Sequence, residues 1–201
     1  MSYHHGRCES SCERSESYKQ KTKYCCTKCG HENKLKIKYP AIQPFRPVNV
    51  SASLISAVTL NSGAATTIIF TAVAANSVGK VCSGYNGSNN VYNPATGIFT
   101  VPRCGSGFYN LTTHVTAQLN GTDSPSGSLL VEIRVNNLPI TQTTLYFNNT
   151  FIQDGDLTIN YPLQPGQTVT VVATANPGSG NISLINPATN FSLSKITELT
   201  C

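Results

Sequence analysis

An all-β sandwich is the fold class this sequence predicts for residues 47–201, and three observations predict it. Apolar and polar residues alternate along segments rich in Val, Ile, Thr, Phe and Tyr, the pattern of a strand with one buried face. Clusters of Gly, Pro, Asn and Asp separate those segments at the short spacing of a sandwich. No stretch of the region carries a convincing helical period.

The expected strands, in order, are 51–60, 66–74, 98–101, 108–119, 128–135, 140–147, 157–161, 168–175 and 190–199. The run Val91 to Tyr109 is the most explicit of them and reads as turn, strand, turn, strand. Asn93, Pro94 and Gly97 are turn formers. Ile98, Phe99 and Val101 form a short apolar strand that Pro102 stops, and Gly105 and Gly107 let the backbone double back into Phe108 and Tyr109. Periodicity alone supports a sandwich and goes no further.

Charge divides the chain in two. Residues 1–46 hold ten Lys/Arg and four Asp/Glu, net +6, while residues 47–201 hold four and five, net −1, which together give the overall +5. The break falls in the proline-rich stretch Pro40–Pro47, which predicts an extended linker. The expected organisation is therefore a basic, cysteine-rich arm over 1–46 and a β domain over 47–201. Only 11% of the chain is charged, under half the usual quarter. A nearly neutral body rich in Ser, Thr, Asn and Gly suits a protein packed against copies of itself; a freely diffusing enzyme usually carries more charge to stay soluble.

The run Tyr92, then Thr96-Gly97-Ile98-Phe99-Thr100-Val101-Pro102, then Gly107-Phe108-Tyr109 resembles the signature of the complement-1q / tumour-necrosis-factor superfamily. The resemblance extends over most of 50–199. Ile69-Phe70 with Val73 and Asn76 resembles the family's early strand. Phe108 through Val115 resembles its long central strand, and Leu163, Gly166, Gln167 and Val169 its approach to the penultimate strand. Phe191 stands where the final strand begins, though this chain has Ser192-Leu193 where the family usually has a glycine two residues after the Phe. The resemblance implies a ten-stranded jelly roll, a homotrimer, and a head that binds or builds rather than catalyses. The physical case for association is that a neutral sandwich leaves apolar strand faces to be covered; a monomeric sandwich is the alternative.

Five of the eight cysteines, Cys8, Cys12, Cys25, Cys26 and Cys29, lie in the arm, and three readings of them stand open. Cys26-Thr27-Lys28-Cys29-Gly30 has the form of a zinc knuckle, with Cys8 and Cys12 as a second, poorer pair of ligands. Alternatively, the Cys25-Cys26 pair with Cys29 resembles the cysteine-rich connectors of bacterial endospore appendage subunits, although the spacing is not that family's usual one. Adjacent cysteines rarely bond each other and are placed to bond two partners. Cys82, Cys104 and Cys201 are then the acceptors, with Cys201, at the end of the sequence, a natural tether; Cys82 and Cys104 also flank the signature hairpin and are able to pair within the body. The third reading is unconnected thiols.

Lys34-Leu35-Lys36-Ile37-Lys38-Tyr39 alternates cation and apolar residue. A docked strand with solvated lysines is favoured over a nucleic-acid contact. No apolar stretch marks the N-terminal region as a signal peptide, and no 18-residue apolar run spans a membrane. The expectation is assembly in a cytoplasm, followed by a place on the surface of a released particle such as a spore or virion. Seven Asn-x-Ser/Thr sequons, at Asn49, Asn86, Asn110, Asn120, Asn148, Asn181 and Asn190, are read as composition, since about four arise by chance in so polar a chain.

No catalytic motif appears: there is no Gly-x-Ser-x-Gly, no His-Glu-x-x-His and no phosphate-cradling loop. His114 is expected to be a strand residue rather than a base. Asp154-Gly155-Asp156 has the look of a calcium-loop fragment, with ordinary turn chemistry as the commoner explanation. The function expected is therefore structural: trimerising heads with a cross-linking or anchoring arm, in a spore-surface fibre, appendage or virion fibre. The alternative class is a recognition module that binds a host protein or glycan.

Overall fold

The computed structural model describes residues 47–78, 91–121, 126–148, 152–178 and 180–198, all within one unit, Phe45–Cys201. Among them there are thirteen strands and no helix: β1 (Val48–Ser53), β2 (Val58–Leu60), β3 (Ala65–Thr67), β4 (Ala72–Val78), β5 (Tyr92–Asn93), β6 (Ile98–Thr100), β7 (Gly107–Asn120), β8 (Ser126–Val135), β9 (Leu138–Asn148), β10 (Ile152–Leu163), β11 (Thr168–Pro177), β12 (Asn181–Leu184) and β13 (Asn190–Glu198).

The strands form two antiparallel sheets. One has the order β4-β1-β13-β7-β10, with β12 and β2 continuing beside the far end of β7; the other runs β5-β6-β11-β8-β9, with β3 beside β11. Ten strands, five in each sheet, thus make the jelly roll, and β2, β3 and β12 are short additions. The connections β6–β7, β7–β8, β9–β10 and β10–β11 each cross from one sheet to the other, whereas β8 and β9 form a hairpin within one. That alternation is the double Greek key of a jelly roll. The β8–β9 turn, Asn136-Asn137, has positive φ at both residues (49° and 67°), the mirror-image geometry that matches the twist of paired strands.

The core sits between the sheets. Tyr109, Leu111, Val115, Ala117 and Leu119 point into it from β7, Leu129, Val131 and Ile133 from β8, and Val169, Val171, Ala173 and Ala175 from β11, all nearly inaccessible. One residue in two faces inward, which is the alternation seen in the sequence.

Two expected strands are each broken in the middle. The segment 51–60 divides into β1 and β2 because Leu54 turns into the core and its N–H donates to the Thr189 carbonyl rather than continuing the ladder. The segment 66–74 divides into β3 and β4. Here Ile68 N–H pairs with Val171 O, and the Tyr92 hydroxyl takes both backbone groups of Phe70, accepting from its N–H at 3.0 Å and donating to its carbonyl at 3.1 Å. Conversely, β10 begins five residues earlier than the expected 157–161, and β5 and β12 fall where no strand was expected.

The signature run folds as a packed unit. Asn93 closes the turn by accepting at its carbonyl from Thr96 and Gly97 and at its side chain from Ala95. Gly97 has φ +71°, and a Cβ there would lie 2.7 Å from Ile68 O, so no other residue fits without displacing that strand break. Asn76 holds the start of β5: its amide oxygen accepts from Val91 N–H and Tyr92 N–H, and its amide nitrogen donates to Tyr92 O. Phe191 packs on both Phe70 and Tyr92, with ring centroids 5.9 and 6.3 Å apart.

Candidate interaction surface

The outward face of β10-β7-β13 gathers most of the chemistry of the described body. Odd-numbered residues of β7 go to the core, so its even-numbered residues face outward opposite the outward residues of β10. The register sets Asn110 opposite Asn160, Thr112 opposite Thr158, His114 opposite Asp156, and Thr116 opposite Asp154. Side chains bond across each pair in a continuous ladder. Asn110 donates to Asn160 (2.9 Å), and Thr158 donates to Thr112 (3.4 Å).

The Asp154 and Asp156 carboxylates lie inside a strand, which corrects their reading as a turn or calcium loop. β10 runs straight through them because Gly155 lies against Leu145, where a Cβ would come within 2.5 Å of Cδ2. His114 Nδ1 lies 2.7 Å from Asp156 Oδ1, and Nε2 lies 3.2 Å from Thr116 Oγ1 and 3.8 Å from Asp154 Oδ1. The Thr116 hydroxyl donates a hydrogen bond to Asp154 Oδ1 at 2.5 Å. Both ring nitrogens therefore have partners within the ladder, and His114 stands in the middle of β7 as the strand residue expected. Among the described residues no three His, Cys, Asp or Glu groups are placed to hold a metal.

The ladder ends in an apolar row. Pro162 is paired with Phe108, and Phe108 with Thr197 across the β13 bulge that contains Ile196. Phe108 is 40% exposed, Ile196 47%, and Pro162 is exposed. Thus the outward face carries hydrocarbon at one end, then amides and hydroxyls, then the His114 ring with the Asp156 and Asp154 carboxylates.

Several charged groups of the described body pair with one another or with neighbouring polar groups. Arg134 bonds Glu132 through Nη2 at 2.5 Å, His114 lies against Asp156, and the fully buried Lys195 ammonium pairs with Glu198. Gly107 leaves room for the Lys195 stem. Tyr109 donates to Gly105 O; burial pushes its hydroxyl pKa well up, and the Glu198 carboxylate adds to the rise. Burial also raises Tyr92, an effect partly offset by its bond to Phe70.

A group whose folded pKa lies above its unfolded value keeps its proton in the native state. The stability it contributes is fully present below the unfolded value, about 10 for tyrosine, and is lost as pH rises above that. Thermal unfolding is therefore expected to drop steeply above about pH 10, and Tyr109→Phe should flatten that alkaline limb. An unchanged slope in the variant would remove Tyr109 as its source.

Of the cysteines named as candidate ligands or cross-link sites, only Cys104 lies among the described residues, and it is disulfide-bonded. Cys8, Cys12, Cys25, Cys26, Cys29, Cys82 and Cys201 lie outside them, as does the Lys34–Tyr39 segment. The ladder and the apolar row were not legible beforehand. The signal present was the even-numbered register of β7, but reading it needs the partner strand, whose start the sequence misplaced.

No protein-family model matches the chain, and no curated protein matches it. Among solved structures, it is similar to the globular domain of zebrafish complement 1qA protein, with 12% identity over 76% of this chain and 99% of that one, at a TM-score of 0.48. It is also similar to Eiger TNF from S. frugiperda, with 13% identity over 77% and 94% and a TM-score of 0.48. Rabbit GITRL is similar at 16% identity over 52% and 75%, with a TM-score of 0.35. The jelly-roll assignment itself rests on the strand order and registers given above.

Proposed function

We propose that this chain is a non-catalytic structural protein that builds an assembly from copies of itself. The body associates as a homotrimer, and the arm over 1–46 links or anchors the trimers by disulfides. The observation that carries this reading is the outward face of β10-β7-β13, where exposed Phe108, Ile196 and Pro162 adjoin the uncharged pairs Asn110–Asn160 and Thr112–Thr158, with the Asp154 and Asp156 carboxylates further along the same face. The apolar end with its neighbouring amide and hydroxyl pairs loses little on desolvation and gains from the burial of its hydrocarbon, and a closed ring of identical copies covers it without leaving an open edge. A released particle, as a spore surface, an appendage or a virion fibre, is the setting proposed, because the body carries almost no net charge and the arm carries most of the thiols.

Light scattering of the reduced full chain is expected to give three times 21.5 kDa. Phe108→Asp with Ile196→Asp should bring the mass to that of a single chain while leaving the β-sheet circular dichroism intact. A single-chain mass for the unaltered protein at micromolar concentration would sink the proposal.

A recognition role for protein or glycan ligands is the competing reading. It is favoured by Tyr146, 73% exposed on edge strand β9 beside Ser128, since an open ring offers a stacking face. Glycan binding by trimers that never polymerise, abolished by Tyr146→Ala, would favour it.

A further inference from the structure

The hydrogen bonds around His114 fit its charged ring and not its neutral one. The ionised Asp156 carboxylate, 2.7 Å from Nδ1, only accepts. The Thr116 hydroxyl, 3.2 Å from Nε2, has one proton, and that proton is directed at Asp154 Oδ1. Both ring nitrogens thus face acceptors, and only the imidazolium donates from both. In a neutral ring with its proton on Nδ1, the Nε2 lone pair meets that of Thr116, or else Thr116 turns to Nε2 and withdraws its proton from Asp154. The chain Asp156–His114–Thr116–Asp154 is complete only when the ring is charged.

Among the described residues, no other charge on the neighbouring strands offsets the two carboxylates. His114 stands opposite Asn190 of β13, which is uncharged from Asn190 to Ser194. β12, beside the far end of β7, is uncharged. Lys195 and Glu198 pair with each other opposite Tyr109 and Gly107, at the other end of β7. On β10 the charged residues are Asp154 and Asp156, both mostly exposed. One cation against two carboxylates leaves the cluster at net −1, and loss of the ring proton takes it to −2.

We propose that His114 is a proton switch on the outward face of β10-β7-β13: a proton taken up by each copy tightens self-association, and its loss as pH rises through histidine's range loosens it. This rests on the self-association proposed above and specifies its regulation. From Phe108 to His114 is six residues of β7, about 20 Å. A standard interface of about 800 Å² a side is about 28 Å across, so a patch that starts at the apolar row and follows β7 takes in His114. Covering the cluster removes water from its carboxylates, and a carboxylate without a countercharge resists this far more than a paired one. A neighbouring body brings little charge to replace the lost proton: of its described cations, Arg134 and Lys195 are held by Glu132 and Glu198, and Arg103 remains. Association therefore favours the protonated ring, and by linkage protonation favours association.

The test follows the full chain in reductant by sedimentation at about pH 5.5 and about pH 8, which bracket histidine's range, at fixed salt and over a dilution series. The association constant is expected to fall by about tenfold or more per subunit at the upper pH. Where no dilution dissociates the trimer, the urea concentration that halves it is read instead, and it should be lower at the upper pH. His114→Gln, with no charge to gain, should associate at both pH values as weakly as the parent does at the upper one. Asp154→Asn with Asp156→Asn should lose the tightening at the lower pH, because its ring then brings a charge with no countercharge. Circular dichroism checks that each variant keeps its sheets, and if His114→Gln does not, the aspartate variant decides. Equal association of the parent at the two pH values, tighter association at the upper one, or a tightening at the lower pH that survives in a folded variant would overturn the switch and leave the self-association standing. A monomer at both pH values and every concentration removes both.

Discussion

Truncating Phe191 to alanine is expected to lower the unfolding free energy by about 3–5 kcal/mol, a large part of the stability of an ordinary domain. Phe191 is 2% exposed, and its ring lies against Phe70 and Tyr92. It stands in β13, between β7 and β1, so it joins the long central strand to the first strand of the body. Removal leaves a cavity at the point where the strand break at Phe70, the short strand β5 and the sheet centre meet. Tyr92→Phe probes the same place differently. It keeps the ring and deletes the hydroxyl that satisfies both backbone groups of Phe70, at a cost of about 1–3 kcal/mol for each group left buried without a partner. Urea unfolding at fixed protein concentration and in reductant should show lower midpoints for both variants with unchanged slopes. A Phe191→Ala midpoint within experimental scatter of the parent would mean that this aromatic group does not organise the fold.

Those residues also show how far the sequence could be read. Tyr92, Gly97, Phe70, Asn76 and Phe191 were visible as scattered signature positions. In the structure they form one packed and hydrogen-bonded unit, which explains why their order and spacing are informative together although each is weak alone. The sheet order was reachable only through the resemblance, because alternation marks which residues face inward and not which strands are neighbours. The splits at Leu54 and Ile68–Thr71 escaped because both segments remain apolar and β-branched. What ends the ladder there is a contact with Thr189, Val171 or Tyr92, distant in sequence. The strand β10 was shortened because Asp154, Gly155 and Asp156 read as a turn. Their place in a strand follows from His114 and Thr116 across the pair and from Leu145 beneath Gly155, none of which is local. The interaction surface failed to show for the same reason: Asn, Thr and Ser in alternation look like solvated polar positions until a register lines them up.

Boiling the oxidised assembly in detergent without reductant is expected to leave a ladder of covalent multimers, and a Cys25→Ser, Cys26→Ser, Cys29→Ser variant should run as single chains. The effect is all or none, because a disulfide is indifferent to dilution whereas contacts between folded surfaces dissociate by mass action and do not survive denaturation. The zinc reading of the same residues makes the opposite forecast. Cys8, Cys12, Cys26 and Cys29 as ligands would stay reduced within one chain, hold about one metal per chain and release it to a chelator. The chain would then run as a monomer with or without reductant. Chelator is expected to leave the ladder untouched, and reductant to erase it. The body should remain folded in the variant, since among the described residues the hydrophobic cluster runs from Val48 to Leu193 and contains no cysteine. A monomer on a non-reducing gel together with stoichiometric zinc would make the arm a metal module and take the cross-links out of the assembly.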